Sequence, residues 1–313
     1  MRFRYRGALL KLMSLRTVQA IYLLKYIPGR RPSTLLGDAN FREIQTLIET
    51  VRSAERGDYQ TLHLAAAGSD TVLMQRLKSE FAQQTGLALA DDKGDLLIRL
   101  RPSAQSAQSS TAAGDQPGWD VLIRLGARPL ATRDWRQCNY EGALNATVAH
   151  VMALLTNPAP TDTYVNLGCG SGSLLIERCA AGDARQVVGV DNDPAVLRCA
   201  AANREASEYA SRSTLARADI RSTPFATASV DALSIDLPFG QRVGSHEQNR
   251  TLYPATLREA ARIARPSAPF VVITHELRLM EAVLSQQSAW RLERELRIVL
   301  RGLHPRIFVL RRI

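Results

Sequence analysis

The chain has 313 residues, of which 45% are hydrophobic and 22% are charged, a composition typical of a globular protein with one large or two moderate domains. Its formal net charge of +10 at pH 7 favours a polyanionic partner, above all a nucleic acid. The longest candidate for a membrane span, residues 12–27, is interrupted by Arg16, Gln19 and Lys25, which excludes a spanning helix there and predicts no membrane association.

The basic charge is concentrated at the beginning of the sequence. Residues 1–37 contain eight Lys or Arg and no Asp or Glu, which predicts a surface that contacts a phosphate backbone. Two other interpretations stay open. Only four of the forty basic residues are lysine, so a compositional bias towards arginine would produce the same excess. An arginine-rich start without acids is also typical of an organelle transit peptide.

The four cysteines, Cys138, Cys169, Cys179 and Cys199, show no CxxC motif and no spacing typical of metal ligands. No signal peptide with a small-residue cleavage site is visible. A disulfide framework is not expected in a chain of this size. We therefore expect four reduced, structural thiols, no metal site and a cytoplasmic location.

The first 126 residues show a pattern that predicts a small α+β domain. The pattern favours a helix around 35–53, a strand around 61–66, a helix over 70–85, a strand over 95–101 and a strand over 119–125. Residues 102–118 are rich in Ser, Ala, Gln and Gly, which predicts a flexible insertion. Because the strand before the insertion would otherwise have an unpaired edge, we expect the strands on its two sides to pair.

A connector over residues 127–138 leads to a second domain, residues 139–313, in which strands and helices alternate. The predicted elements are helix 141–155, strand 164–167, helix 173–181, strand 186–191, helix 194–208, strand 230–235, helix 253–263, strand 269–274 and a hairpin of 292–300 with 306–312. This alternation predicts an α/β fold with a doubly wound, mostly parallel sheet that ends in an antiparallel hairpin.

A glycine-rich turn follows the first buried strand of the second domain. Gly168, Gly170 and Gly172 lie in the sequence NLGCGSGS, where glycine lets the backbone turn tightly and lets a ligand approach amide groups. Related turns occur in nucleotide oxidoreductases and in tight turns that bind nothing. The turn therefore predicts a cofactor site only together with the residues that follow it.

Polar residues follow the next strands at the same predicted edge of the sheet. Asp191 closes the strand VVGVD, 19 residues after the last glycine of the turn, and can accept both hydroxyls of a ribose, with Asn192 beside it. Asp193 is better placed to cap the next helix, which leaves Asp191 for a ligand. Asp219 and Ile220 follow the third strand, where a carboxylate can accept an adenine amino group.

The sequence Asp236-Leu237-Pro238-Phe239-Gly240 follows the next strand. It is either an ordinary strand-to-loop turn, with Phe239 packed inwards, or part of a catalytic site. Taken in order, GCGSG, VVGVD, AD and DLPFG resemble the motifs of class I methyltransferases that use S-adenosyl-L-methionine. DLPFG itself is similar to the (D/N)PPY-type motif of enzymes that methylate the exocyclic amines of bases.

Two further segments strengthen the resemblance. With Gly142-Ala143-Leu144-Asn145, predicted to be helical, and Gly302-Leu303-His304-Pro305-Arg306, DLPFG resembles the THUMP-containing guanine-N2 RNA methyltransferases. The resemblance covers residues 139–313. Over residues 1–126 it is mostly positional, because that family carries its RNA-binding THUMP module ahead of the catalytic domain.

The resemblance implies S-adenosyl-L-methionine as the cofactor. The residues expected to hold it are Asn166, Gly168, Gly170, Gly172, Asp191, Asn192, Asp219, Ile220 and Asp236. Asn166 departs from the family, which usually has Asp at that position.

The catalytic residues are expected at the DLPFG turn. Asp236 and the Leu237 carbonyl would accept hydrogen bonds from the amine, Pro238 would stiffen the turn, and Phe239 would stack on the base. Arg242 and His246, in the polar segment that follows, are candidates for binding the substrate base.

The sequence thus predicts methylation of an exocyclic amine of an RNA base, first of all guanine N2 in tRNA or rRNA, without a metal or an obligatory protein partner. Three alternatives stay open. They are methylation of adenine N6, methylation of a protein amide, and a catalytically weak RNA-binding protein that has kept the fold.

Overall fold

The computed structural model describes residues 1–55, 59–103, 117–140, 142–239, 245–300 and 302–313. The chain divides into an N-terminal unit, Met1–Ala131, and a C-terminal unit, Thr132–Ile313. Residues 127–138, predicted to be a connector, are split between the two. Most of the predicted insertion, residues 104–116, lies outside the described residues. No helix in the described ranges is long and apolar enough to cross a bilayer.

In the N-terminal unit, two long helices pack on one face of a five-stranded sheet. Its elements are α1 (Leu10–Met13), β1 (Tyr22–Pro28), α2 (Asp38–Ala54), β2 (Thr61–Ala66), α3 (Val72–Thr85), β3 (Ala88–Leu89), β4 (Leu96–Pro102) and β5 (Gly118–Arg124). The strand order is β1-β5-β4-β2-β3. Alternate strand residues, such as Leu64, Ile98 and Val121, form the core together with residues of α2 and α3.

The strands on the two sides of the predicted insertion pair with each other. β4 and β5 are antiparallel, with Pro102 opposite Trp119 and Ile98 opposite Ile123, so the predicted pairing is confirmed. β1 was not predicted. It pairs with β5, far along the chain, and its sequence YLLKYIP lacks the strict alternation by which a strand is identified locally.

The C-terminal unit is built around one seven-stranded sheet. Its elements are α4 (Ala146–Leu155), β6 (Thr163–Leu167), α5 (Ser173–Ala181), β7 (Gln186–Asp191), α6 (Pro194–Glu205), β8 (Thr214–Arg217), β9 (Ala232–Asp236), α7 (His246–Ile263), β10 (Pro269–Thr274), α8 (Leu277–Ser285), β11 (Trp290–Arg297) and β12 (Arg306–Arg312). The order is β11-β12-β10-β9-β6-β7-β8. Strands β6 to β10 pair in parallel and β11 and β12 are antiparallel, so the predicted doubly wound fold with its hairpin is confirmed.

Helices cover both faces of this sheet. Along β10, Phe270 and Val272 pack in one cluster with α7 and α8, whereas Val271 and Ile273 pack in another with α4. A strand buried on both faces needs no polar alternation. The winding reverses at β6, which has β7 on one side and β9 on the other. Ligands of this fold bind beyond the carboxyl ends of the strands at such a reversal.

The helix predicted from residue 141 begins only at Ala146. Asn145 is its N-cap, because its side chain accepts hydrogen bonds from the backbone N–H groups of Thr147 at 2.9 Å and Val148 at 3.4 Å. Gly142 has a φ of +87°, which is outside the helical region. The prediction of a helix over 142–145 was therefore wrong, and Glu141 lies outside the described residues.

The helix predicted to begin at Tyr253 starts earlier, at His246. Ser245 accepts a hydrogen bond from Gln248 N at 3.2 Å, and the Gln248 side chain accepts one from Ser245 N at 3.0 Å. This is a capping box, and the spacing Ser-x-x-Gln indicates it in the sequence. The polar segment predicted before residue 253 is thus helical from His246 on, and residues 241–244 lie outside the described ones. The helix α8 was not predicted.

Two of the four cysteines are joined. Cys138 and Cys199 form a disulfide with their Cα atoms 5.4 Å apart, so the expectation of four reduced thiols was wrong for this pair. Cys169 and Cys179 are free and buried. A sequence separation of 61 gave no local signal, because tertiary packing brings the pair together. Asn203, one turn beyond Cys199 on α6, donates a hydrogen bond to the Cys138 carbonyl at 3.0 Å.

A buried arginine on α5 ties the helix to the start of β6. Arg178 donates to the Asp162 carboxylate at 2.8 Å and to the Gly182 carbonyl at 3.0 Å, and its guanidinium lies 5.4 Å from the centre of the Tyr164 ring. The side chain is fully buried. Removing one partner of such a pair leaves the other charge buried without compensation.

We expect Arg178→Met to lower the free energy of unfolding by about 3 kcal/mol, because it leaves Asp162 unpaired. Arg185→Met is the control. Arg185 pairs with Asp231 at 3.5 Å but its side chain is 57% exposed, so its loss should cost about 1 kcal/mol or less. Urea unfolding of both variants gives the comparison. Equal midpoints would show that the buried pair has no special role.

Candidate active site

The glycine turn after β6 has the geometry of a ligand cradle. Gly168 and Gly170 have φ values of +56° and +54°, and a Cβ built on either would meet no atom of the described residues within 4 Å. Within the described part of the chain, both therefore face open space. Gly172, with φ +83°, differs because a Cβ there would contact Ala200 of α6 at 3.5 Å. The first two glycines leave room for a ligand, and the third lets α5 pack closely on α6.

Asp191 fixes this turn from the end of β7. Its carboxylate accepts hydrogen bonds from Gly170 N at 3.0 Å and from Asp193 N at 3.1 Å. Asp193 caps α6 by accepting from Ala195 N at 2.7 Å, as predicted. Asp191 is thus not the helix cap, and a carboxylate with two donors still has lone pairs for hydroxyl groups. Asn192 beside it is exposed, and its carbonyl accepts from Arg217 at 3.1 Å.

Asn166 lies one residue before the end of β6 and is completely buried. Its amide group donates to the carbonyls of Leu167 and Ser234, both at 3.3 Å. Its side-chain oxygen has no hydrogen-bond partner among the described residues. A buried acceptor without a donor is unfavourable unless a ligand or water satisfies it. Asn166 can therefore accept a hydrogen bond from a bound ligand even though it is not an acid.

Asp219, beyond β8, is held by an arginine. Both carboxylate oxygens accept from the Arg221 guanidinium, at 2.6 to 3.1 Å, and Arg221 N also donates to one of them at 2.9 Å. These hydrogen bonds hold the pKa of Asp219 below its usual value. The carboxylate is ionised and oriented, and a new donor would share it with Arg221. The neighbouring Ile220 packs against the main core of the unit.

The turn after β9 carries two acceptors to which no described residue donates a hydrogen bond. Among the described residues, none donates a hydrogen bond to the Asp236 carboxylate or forms an ion pair with it. Burial alone raises the pKa of Asp236 to about 7. The Leu237 side chain is buried and its N–H donates to the Ile273 carbonyl at 3.0 Å. No described residue donates to the Leu237 carbonyl.

The next carbonyl in the turn is fully engaged. Pro238 O accepts from the Asn249 side chain at 2.9 Å and from the Tyr253 hydroxyl at 2.7 Å. Tyr253 in turn lies 2.7 Å from the Thr274 hydroxyl at the end of β10. Two side chains of α7 thus hold the turn after β9 in place. Because Pro238 O is already satisfied, the Leu237 carbonyl is the one left for a ligand.

Glu276 extends this network to the substrate candidate His246. Its carboxylate accepts from the Asn249 side chain at 2.8 Å, and its other oxygen lies 2.5 Å from His246 Nδ1. The His246 ring is 67% exposed, so it can still meet a ligand from outside. The sequence pattern did not single out Asn249 or Tyr253 as site residues. The capping box at Ser245 was the available signal, because it places Asn249 and Tyr253 one turn apart on a helix.

The remaining predicted residues lie at the rim or outside. The Phe239 ring is half-buried against the cluster that α4 forms with the sheet, and its centre is 6.0 Å from that of the His275 ring. Phe239 is therefore partly packed inwards and partly available for stacking. Arg242 and Gly240 lie outside the described residues. No group of His, Cys, Asp or Glu in the described part of the chain could hold a metal ion.

Known proteins are similar to this chain to different extents. Residues 133–306 match the model of the family described as RMKL-like, methyltransferase domain. The tRNA (guanine(6)-N(2))-methyltransferase THUMP3 of Mus musculus is 33% identical over 187 residues, which cover 54% of this chain and 36% of the mouse protein. The chain therefore spans about a third of the length of that relative.

Two crystal structures share the fold. TrmN from Thermus thermophilus has a TM-score of 0.73 at 19% identity, and the match covers 100% of this chain and 88% of TrmN. SMU.472 complexed with SAH has a TM-score of 0.64 at 14% identity, and the match covers 96% of this chain and 87% of SMU.472. At such identities these structures show a common fold and nothing more.

A substitution at Gly170 separates backbone strain from ligand contact. Gly170→Ala should lower the free energy of unfolding by about 1 to 2 kcal/mol, because alanine is strained at positive φ. It should also weaken S-adenosyl-L-methionine binding at least ten-fold, since the added methyl group points into the open cradle. Titration calorimetry measures the binding and urea unfolding the stability.

The matched control is Gly86→Ala at the end of α3. Gly86 has φ +69° and a Cβ there would also meet no atom within 4 Å, so the strain is the same but the position is in the other unit. We expect a similar loss of stability and unchanged binding. Equal cofactor affinity for both variants would rule out the cradle at Gly170.

Proposed function

Because this chain belongs to the family of RMKL-like methyltransferase domains, we propose that it transfers a methyl group from S-adenosyl-L-methionine to guanine N2 in RNA, with tRNA as the substrate class. The observation that carries the proposal is a pair of acceptors on the turn after β9, Asp236 and the Leu237 carbonyl, to which no described residue donates. The curated relative of mouse, which acts on guanine N2 of tRNA by its name, supports the choice of base and of RNA.

The residues at the glycine turn fit this cofactor. An adenosine ribose offers hydroxyl donors, for which Asp191 has free lone pairs, and Asp219 can accept from an adenine amino group. The cofactor's methionine end carries N–H donors, and Asn166 has a buried oxygen that no described residue satisfies. The cofactor supplies an electrophilic methyl group on a sulfonium. SAH occupies SMU.472, which shares the fold.

The chain's own task is to prepare the nucleophile. The lone pair of an exocyclic amine is delocalised into the base, and two acceptors aimed at its N–H groups make the nitrogen more tetrahedral and stabilise the positive charge that develops. Asp236 supplies one acceptor and the Leu237 carbonyl the other. Asn249 and Tyr253 hold the turn so that both point in a fixed direction, which is a contribution of orientation.

Asp236 is also suited to accept the proton that the amine must lose. As the N–C bond forms and the C–S bond breaks, the amine nitrogen loses one proton. A carboxylate whose pKa is about 7 can accept that proton and release it to water near neutral pH. Phe239 lies on the same turn, where its exposed part can stack on the base face.

The pH dependence of the reaction tests this role. Since the ionised carboxylate is the active form, kcat/KM of the wild type should rise ten-fold per pH unit up to about pH 7 and then level off. Asp236→Asn should be at least a hundred-fold slower at pH 8 and lack this rise. The assay follows labelled methyl groups into bulk tRNA. Asp219→Asn, the control, should raise KM for the cofactor and keep the rise.

The variant Asp236→Asn also has a readout that needs no catalysis. Because the pKa of Asp236 lies above the ordinary value of 3.8, the native state binds more protons than the unfolded chain between these values, and native stability falls as pH rises through this window. Asp236→Asn removes that effect. Its Tm relative to wild type should therefore increase from pH 5 to pH 8. An unchanged Tm difference together with an unchanged pH–rate profile would exclude the assigned role.

A further inference from the structure

We propose that the Cys138–Cys199 disulfide is a redox switch that sets the affinity of the C-terminal unit for S-adenosyl-L-methionine. In the disulfide form the glycine turn is held in place. In the dithiol form the turn is held less firmly and binds the cofactor more weakly. This switch goes beyond the proposed function and does not depend on which base receives the methyl group.

The Cys138 segment, residues 133–138, packs against the beginning of α5. Arg136 donates a hydrogen bond to the hydroxyl of Ser173, the first residue of that helix, at 2.9 Å. Trp135 is buried in a cluster with Ile176 of the same helix. Since α5 begins where the glycine turn ends, the segment borders the part of the chain that is expected to hold the cofactor.

Asn203 joins this segment directly to the glycine turn. Its side chain is completely buried, and its oxygen accepts a hydrogen bond from Cys138 N at 2.8 Å. Its amide group donates to the Cys138 carbonyl at 3.0 Å and to the Ser171 carbonyl at 2.9 Å. Ser171 lies between Gly170 and Gly172. A shift of the Cys138 backbone therefore disturbs a side chain that also holds the turn.

The other half of the disulfide is also next to the turn. Cys199 precedes Ala200 on α6, and a Cβ built on Gly172 would lie 3.5 Å from the Ala200 Cβ. Cys199 is thus adjacent in sequence to the residue on which the last glycine of the turn packs. The disulfide connects two segments that both contact the turn, and closing it restricts both of them.

The position of the disulfide favours regulation over stabilisation. Domains depend on disulfides for stability when they cannot build a sufficient hydrophobic core. This unit has hydrophobic clusters on both faces of a seven-stranded sheet. Cys138 is partly exposed, so a small thiol can approach its sulfur from solvent, whereas Cys199 is only 8% exposed. The bond is thus accessible from the side of Cys138.

The switch operates by thiol–disulfide exchange with a low-molecular-weight thiol such as glutathione. A glutathione thiolate attacks the Cys138 sulfur, the protein S–S bond breaks, and Cys199 leaves as a thiolate that takes up a proton. A second glutathione thiolate attacks the glutathione sulfur of the mixed disulfide and releases Cys138. Two electrons pass to the protein, which gains two thiols, while two glutathione molecules become one glutathione disulfide.

The first test is calorimetric titration of the full chain with S-adenosyl-L-methionine, before and after reduction with a phosphine. We expect the dithiol form to bind at least about five-fold more weakly, which is the lower end of the usual range for coupling between two sites. Alkylation of free thiols followed by mass spectrometry establishes the state of each cysteine in both samples. Circular dichroism checks that both forms are folded at the temperature of the titration.

Two cysteine variants show whether the response comes from this pair. Cys138→Ser cannot form the disulfide. It should bind the cofactor as weakly as the reduced wild type and should not respond to reductant, because Cys169 and Cys179 are already free. Cys179→Ala is the matched control. It also removes a cysteine, but one outside the disulfide, and it should keep the full response of the wild type.

The reverse effect is a second, independent readout. Because the coupling of two equilibria is reciprocal, saturating S-adenosyl-L-methionine should shift the thiol–disulfide equilibrium in glutathione buffers towards the disulfide. The shift should equal the factor by which reduction lowers the affinity. A disulfide between segments that do not affect the turn would have the same equilibrium with and without the cofactor.

Three results would each overturn the switch: equal affinity of the two forms, a dithiol form that is unfolded at the titration temperature, or free Cys138 and Cys199 in protein kept without reductant. These measurements use no RNA. A switch that works as described in a protein that methylates no guanine would refute the proposed function alone. Methylation of guanine N2 by a protein whose two forms bind the cofactor equally would refute the switch alone.

Discussion

The site depends on one constraint, the parallel register of β6 with both β7 and β9. Asn166 lies opposite Gly189 on one side and Ser234 on the other, and Leu167 lies opposite Val190 and Ile235. These strands are buried on both faces, so a slip by one residue would move every side chain to the wrong face. The register therefore fixes where each strand ends. The glycine turn, Asp191 and Asp236 meet at one edge of the sheet because their strands end together.

Two of the turns at this edge combine a group that the fold satisfies with an acceptor that has no partner among the described residues. At the glycine turn, Asp191 accepts from Gly170 N, while Asn166, near the end of β6, keeps a buried oxygen without a donor among the described residues. In the turn after β9, Asn249 and Tyr253 satisfy the Pro238 carbonyl. A buried polar group without a partner costs about 1 to 3 kcal/mol, which the packed sheet can sustain and a ligand can recover.

The part of the site that lies within single segments could be predicted from the sequence. The glycine spacing, Asp191 at a strand end and the choice of Asp193 as the helix cap depend on a few adjacent residues, and the structure has them as expected. The doubly wound order followed from the alternation of elements. The prediction of a helix over 142–145 was wrong because Asn145 is an N-cap, a local signal that outweighs the helix propensity of its neighbours.

Other features depend on contacts between distant segments, which no local pattern contains. The strand β1 is stabilised by β5, and the disulfide joins Cys138 to a helix 61 residues away. The Pro238 carbonyl meets Asn249 and Tyr253 only after α7 has packed on the sheet. The raised pKa of Asp236 likewise follows from burial in the finished fold. The motif singled out this carboxylate, and only the structure shows that nothing pairs with it among the described residues.

The central claim is that the turn after β9 directs a methyl group to the exocyclic amine of guanine. Bulk tRNA that lacks modifications, incubated with this protein and S-adenosyl-L-methionine carrying a deuterated methyl group, can be digested to nucleosides and examined by mass spectrometry. The account predicts deuterium in N2-methylguanosine. Deuterium in a methylated adenosine or in a uridine methylated on carbon, or none in any nucleoside, would contradict it.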